Sequence, residues 1–105
     1  MASGILGQAN PLANTDTVIY TVPSSNIAAF SISAVSLSGA ASIRIGISTT
    51  STPTNSEYIE YGANLSNTGS VLERTSLIAE ANRNIVVRAS TANVSFSVYG
   101  YEEAV

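Results

Sequence analysis

The residues able to do acid–base chemistry in this 105-residue chain are its seven carboxylates, because it contains neither cysteine nor histidine. That excludes thiolate nucleophiles, disulfides, zinc or iron–sulfur ligation through Cys or His, and histidine-centred triads. Glu57 and Glu60 stand three apart near one extended stretch, a spacing that sends their side chains to opposite faces. A glycosidase-like pair instead needs two carboxylates converging on one bond. Glu73 and Arg74 are adjacent and diverge in the same way. Cross-strand ion pairs of Arg74 or Arg88 with Glu57, Glu60 or Glu73 are expected, each worth at most about 1 kcal/mol at a surface. Asp16 is the sole aspartate, and Asn14, Asp16 and Thr17 do not match an EF-type calcium loop. The seven glycines form no G-x-S-x-G elbow, phosphate loop or dinucleotide fingerprint. The expectation is therefore no catalytic, cofactor or metal site, and no enzyme. Five tyrosines remain, with Tyr58 and Tyr61 flanking Ile59-Glu60 and with Tyr99 and Tyr101 on one face of the last extended segment. Such rings serve as sugar platforms, core edges or subunit contacts, having an apolar body and a polar tip.

The elements that must position these groups are strands. Phe30, Ile32 and Ala34 alternate with serines; Ile43, Ile45 and Ile47 alternate with Ser42, Arg44 and Gly46; Val94, Phe96 and Val98 alternate with Ser95, Ser97 and Tyr99. Period-two patterning with one apolar face and one hydroxyl-rich face marks half-buried antiparallel strands. Strands are predicted over 16–22, 27–37, 42–49, 57–62, 70–78, 84–90 and 93–101, separated by Pro-, Gly-, Ser- and Asn-rich turns and a long loop around Pro53. After Ala34 the apolar phase moves to Val35 and Leu37, which predicts a bulge or a change of sheet. The stretch 77–84 is the one place where a single helical turn would fit. Seven short strands at this spacing predict an all-β fold: a single antiparallel β-sandwich, with a jelly-roll-like arrangement as its near neighbour.

Residues 1–14 stand apart as an extended N-terminal arm, with the sandwich domain over 15–103. Gly4, Gly7 and Pro11 oppose a helix, while Ile5, Leu6 and Leu12 are unfavourable in water. The arm therefore straps its own sandwich, stays disordered, or docks on a neighbouring subunit. Its lack of basic residues and long apolar run argues against a secretory or transit signal, and no stretch is apolar enough for a membrane span. The sequons at Asn64 and Asn93 are read as chance matches on that basis.

Only 10% of residues are charged, lysine is absent, and the net charge is −3. Soluble domains average roughly 25% charged residues. An acidic chain has no general attraction for phosphate, so nucleic acid is not an expected partner. Sheet proteins commonly shield their edges with lysine, proline or inward charges, and here the prolines fall in loops. The pattern points to a homo-oligomer or permanent assembly in which neighbours cover the exposed surfaces. Candidate interface residues are Ile5, Leu6 and Leu12 on the arm, and Tyr58, Tyr61, Tyr99 and Tyr101 on the sandwich.

Several stretches resemble small structural proteins of tailed bacteriophages, especially phages of marine bacteria and cyanobacteria. These are Tyr20-Thr21-Val22-Pro23, the run from Asn55 to Tyr61, Gly69-Ser70-Val71-Leu72-Glu73-Arg74-Thr75, and the segment from Ala89 to Glu103. The resemblance implies a non-enzymatic virion component, assembled in the host cytoplasm, whose partners are the major capsid protein or other virion proteins. The expected role is a capsid decoration (cement) protein. A tail, neck or fibre-associated component and a carbohydrate-binding β-sandwich are the alternatives.

Overall fold

The computed structural model describes residues 3–105. Eight strands form: β1 (Ser3–Ala9), β2 (Thr17–Thr21), β3 (Asn26–Ser36), β4 (Ala41–Ser48), β5 (Tyr58–Leu65), β6 (Val71–Ala79), β7 (Asn84–Ala89) and β8 (Val94–Ala104). They make two four-stranded sheets, ordered β1-β8-β3-β6 and β2-β7-β4-β5, with every pairing antiparallel. The fold is an all-β sandwich. Strand pairs are nested, β1 with β8, β2 with β7, β3 with β6 and β4 with β5. A long two-stranded ribbon wrapped over itself in this way has jelly-roll connectivity.

The alternating residues explain the layers. Phe30, Ile32 and Ala34 of β3 and Val94, Phe96 and Val98 of β8 face Ile43 and Ile45 of β4 and Ile85, Val87 and Ala89 of β7, all buried in one cluster. The predicted bulge after Ala34 does not occur. The β3–β8 register runs unbroken to Ser36, which takes the inward position while Val35 and Leu37 face outward. Ser36 tolerates burial because its Oγ donates to the Gly39 carbonyl at 2.5 Å.

Of the courses open to the arm, residues 3–9 take the first and join their own sandwich. They form an edge strand on β8, with Ser3 opposite Tyr101 and Ile5 opposite Tyr99. Met1 and Ala2 of that arm lie outside the described residues. Gly7 permits the placement, since a Cβ there would lie 2.2 Å from the Ile19 carbonyl oxygen of β2. The residue read as a breaker lets the two edge strands of opposite sheets approach.

Edge protection comes from register irregularities rather than charge. Pairings of the edge strands β1, β2, β5 and β6 each carry at least one shift, whereas the central pairs β3–β8 and β4–β7 carry none. Bulges twist an edge away from regular pairing with another chain. On β6 the irregularity falls between Arg74 and Leu77, where Ser76 has φ of 60°.

One helical turn forms, outside the stretch 77–84 that would fit one. Asn55–Glu57 forms it, within the loop joining β4 to β5, and 77–84 is strand and turn. Thr54-x-x-Glu57 is a capping-box pattern, and the Glu57 carboxylate accepts the Thr54 N–H at 2.9 Å.

Candidate functional surfaces

The outer face of the β1-β8-β3-β6 sheet is built from rows of cross-strand neighbours. One row runs Ser3, Tyr101, Ala29, Ile78; the next begins Ile5, Tyr99, Ser31. Small residues in β3 between larger ones in β8 and β6 leave a shallow cleft of about 350 Å³, lined by Ala29, Ser31, Ile78, Tyr99 and Tyr101 among others. The large apolar residues here are open to solvent: Ile5 is 58% exposed, Val71 62%, Ile78 70% and Tyr101 52%. Tyr99 is half-buried, and its hydroxyl donates to Glu73 on β6. That bond holds the ring against the face.

The other predicted contact residues separate. Leu6 turns inward and packs on the core, so it belongs to the fold. Leu12 is 73% exposed in the loop after β1 and joins neither face cluster. Tyr58 and Tyr61 lie on the opposite sheet, edge to face with centroids 4.9 Å apart, and Asn55 completes a cleft beside them. The Arg44 guanidinium carbon sits 4.3 Å from the Tyr61 ring centroid, a cation–π contact. One face of that ring is thus occupied.

Ile78 and Val71 were missed by sequence reasoning, although a signal existed. Leu77 and Ile78 are adjacent in one strand, so when Leu77 packs on the core Ile78 must face out.

Among the described residues, six of the seven carboxylates, all but Glu103, contact structural partners. Glu60 on β5 pairs with Arg74 on β6 at 2.5 Å, and Arg74 also donates to the Ile59 carbonyl at 3.2 Å, clasping the two sheets at one open edge. Glu102 of β8 accepts the Tyr20 hydroxyl of β2 at 2.5 Å, a second link between sheets. Burial, followed by that hydrogen bond and the adjacent negative charge, pushes the Tyr20 pKa well above the phenol range. Glu57 accepts from the Thr54 and Thr49 amides and from the buried Ser48 hydroxyl, and it lies 3.5 Å from Arg83. Led by the Thr54 amide, these donors hold its pKa down at about 2. Arg83 also contacts Glu80, and Arg88 lies 3.6 Å from Asp16. The expected use of Arg74 with Glu60 is found, whereas Arg88 takes Asp16 and Glu73 takes a tyrosine. Among the described residues no group of three or more Asp, Glu, His or Cys could hold a metal ion.

The chain thus presents two unlike faces, one apolar with a tyrosine-flanked cleft, the other carrying an arginine–tyrosine cluster. Comparison with protein-family models, with curated proteins and with solved structures finds no match for this chain.

Proposed function

We propose that the chain is a non-enzymatic structural protein of a tailed-phage virion, acting as a capsid decoration protein that bridges major capsid subunits. The observation that carries a docking role is the exposed apolar group of Ile5, Ile78 and Tyr101 around the cleft on one sheet face. An exposed apolar patch of this kind marks a binding surface on a folded domain. The bulged edges favour contact through faces over strand-to-strand pairing. The resemblance of the Gly69–Thr75 and Ala89–Glu103 stretches to phage structural proteins supports the virion setting. Jelly-roll domains occur in viral capsids, lectins and cupins, so the fold is compatible with this role without selecting it.

The mechanism is passive. Each copy buries its apolar face against neighbouring capsid subunits, and contacts of standard size, roughly 1,600 Å² in total, hold the shell against internal pressure. Quantitative mass spectrometry of purified virions should find the chain at an abundance close to that of the major capsid protein. A few copies per particle would instead indicate a tail, neck or fibre component, and absence from virions would overturn the reading. The Tyr58–Tyr61 cleft with Asn55 favours one second reading, a carbohydrate site. A glycan array without signal for the purified protein would remove it.

A further inference from the structure

The sheet opposite the apolar face carries an unusual juxtaposition. Arg44 of β4 and Arg88 of β7 are direct cross-strand partners, so two of the four arginines of an acidic protein stand side by side. Like charges directly opposite one another destabilise a sheet. Asp16 offsets one of them, but its 3.6 Å separation from Arg88 is too long for a hydrogen bond. Arg44 has no carboxylate within ion-pairing distance among the described residues and is steadied by the Tyr61 ring instead.

At the two arginines lies a small polar cleft of about 50 Å³, lined by Asn14, Ser42, Arg44, Arg88, Ala89 and Ser90. Its five polar side chains can all donate hydrogen bonds, and none of them is a carboxylate. Several are held in place. Asn14 adopts a left-handed backbone, φ of 56°, and its N–H donates to the Ala89 carbonyl at 2.7 Å. The Ser42 N–H donates to Ser90 Oγ at 2.9 Å, leaving the Ser90 hydroxyl hydrogen available, and the Ser90 N–H donates back to the Ser42 carbonyl at 2.9 Å. A cleft lined by donors, with two arginines and little volume, fits one small anion.

We propose that this cleft binds a single oxyanion, held by charge-assisted hydrogen bonds from Arg44 and Arg88 and by the Ser42, Ser90 and Asn14 side chains. This site goes beyond the virion reading and does not depend on it. The anion is either the carboxylate of an acidic side chain on another protein or a free tetrahedral ion such as phosphate.

The test is an NMR titration of the full chain with inorganic phosphate and, separately, with acetate as the side-chain carboxylate probe, at ionic strength fixed with sodium chloride. The Arg44 and Arg88 Nε–H signals and the Ser42 and Ser90 amides should shift saturably. R44Q should weaken binding at least tenfold, and S42A should weaken it by a smaller factor. Both positions face outward, and the spectrum of each variant reports whether it is folded. Should R44Q fail to fold, S42A and N14A carry the comparison. Saturation by both probes supports a site open to protein carboxylates; saturation by phosphate alone supports a free-ion site. Absence of saturable shifts for both anions, or unchanged affinity in the folded variants, overturns the proposal.

Discussion

Replacing Ile78 and Tyr101 by threonine separates docking from folding. Threonine retains β propensity, so the strands are preserved while apolar surface is removed. Ile78 is 70% exposed and Tyr101 52% exposed, so neither contributes much to the isolated fold. Surface changes of this kind usually alter stability by about 0.5 kcal/mol or less. Converting Ile78 to threonine deletes roughly two carbon groups at about 0.8 kcal/mol each, of which the exposed share leaves about 1 kcal/mol for a partner to gain. Losing the Tyr101 ring adds about 2 kcal/mol if that side chain anchors the contact. A total near 3 kcal/mol corresponds to an affinity loss on the order of 100-fold. The assay adds wild-type and doubly substituted chains to particles assembled without the protein and quantifies the bound fraction by mass spectrometry. Thermal unfolding of both proteins is recorded in parallel. Equal occupancy by the variant would refute the assignment of this face. A melting temperature lowered by more than about 5 °C, a shift equivalent to roughly 1 kcal/mol in a domain this size, would show that the two residues act in the fold instead.

Three further outcomes follow from the packing. Because the folded pKa of Glu57, about 2, lies below the usual 4.5, its contribution to stability is fully present above pH 4.5 and lost as pH falls toward 2. Melting temperatures measured from pH 2 to 6 should accordingly fall less steeply on acidification for Glu57→Gln than for the wild type. Gly46→Ala places a Cβ 2.8 Å from Pro53 Cγ, so the buried proline must lift; hydrogen exchange should show lost protection across 49–57, with destabilisation of about 1–3 kcal/mol. Phe96→Ala empties a fully buried position between the sheets and should destabilise by about 3–5 kcal/mol in a denaturant titration, with the fold lost at elevated temperature well before the wild type.

The core strands were legible because their inner faces are continuous. Ile43, Ile45 and Ile47, and likewise Val94, Phe96 and Val98, alternate without interruption, and both segments are strands within about three residues of their expected limits. The strand β1 was not, because Gly4 and Gly7 break propensity, and the need for Gly7 arises from contact with Ile19 on another sheet. Ser36 misled the phase of β3, since its inward hydroxyl is satisfied by the Gly39 carbonyl of the turn that follows, a bond that alternation of apolar residues does not signal. Of the candidate contacts, Ile5, Tyr99 and Tyr101 come together through the β1–β8 register, which no local pattern encodes. The arginine pair was hidden for the same reason: Arg44 and Arg88 meet only once β4 and β7 are aligned.

The nesting of the strands also sets the order in which the molecule can be made. β8, the last strand, lies between β1 and β3 in the middle of its sheet, with Tyr101 opposite both Ser3 and Ala29. Until that segment leaves the ribosome, β1 has no partner in its own sheet and β3 has only β6. The sheet that bears the apolar face is therefore completed only once β8 has been made, by closing a loop that runs from β1 to β8. Such non-local closure is slow, on the millisecond-to-second scale for β-sandwiches. During that interval Phe96, Val98 and the inner residues of β3 remain unburied, so any truncation within β8 should abolish folding of the sandwich rather than trim its edge.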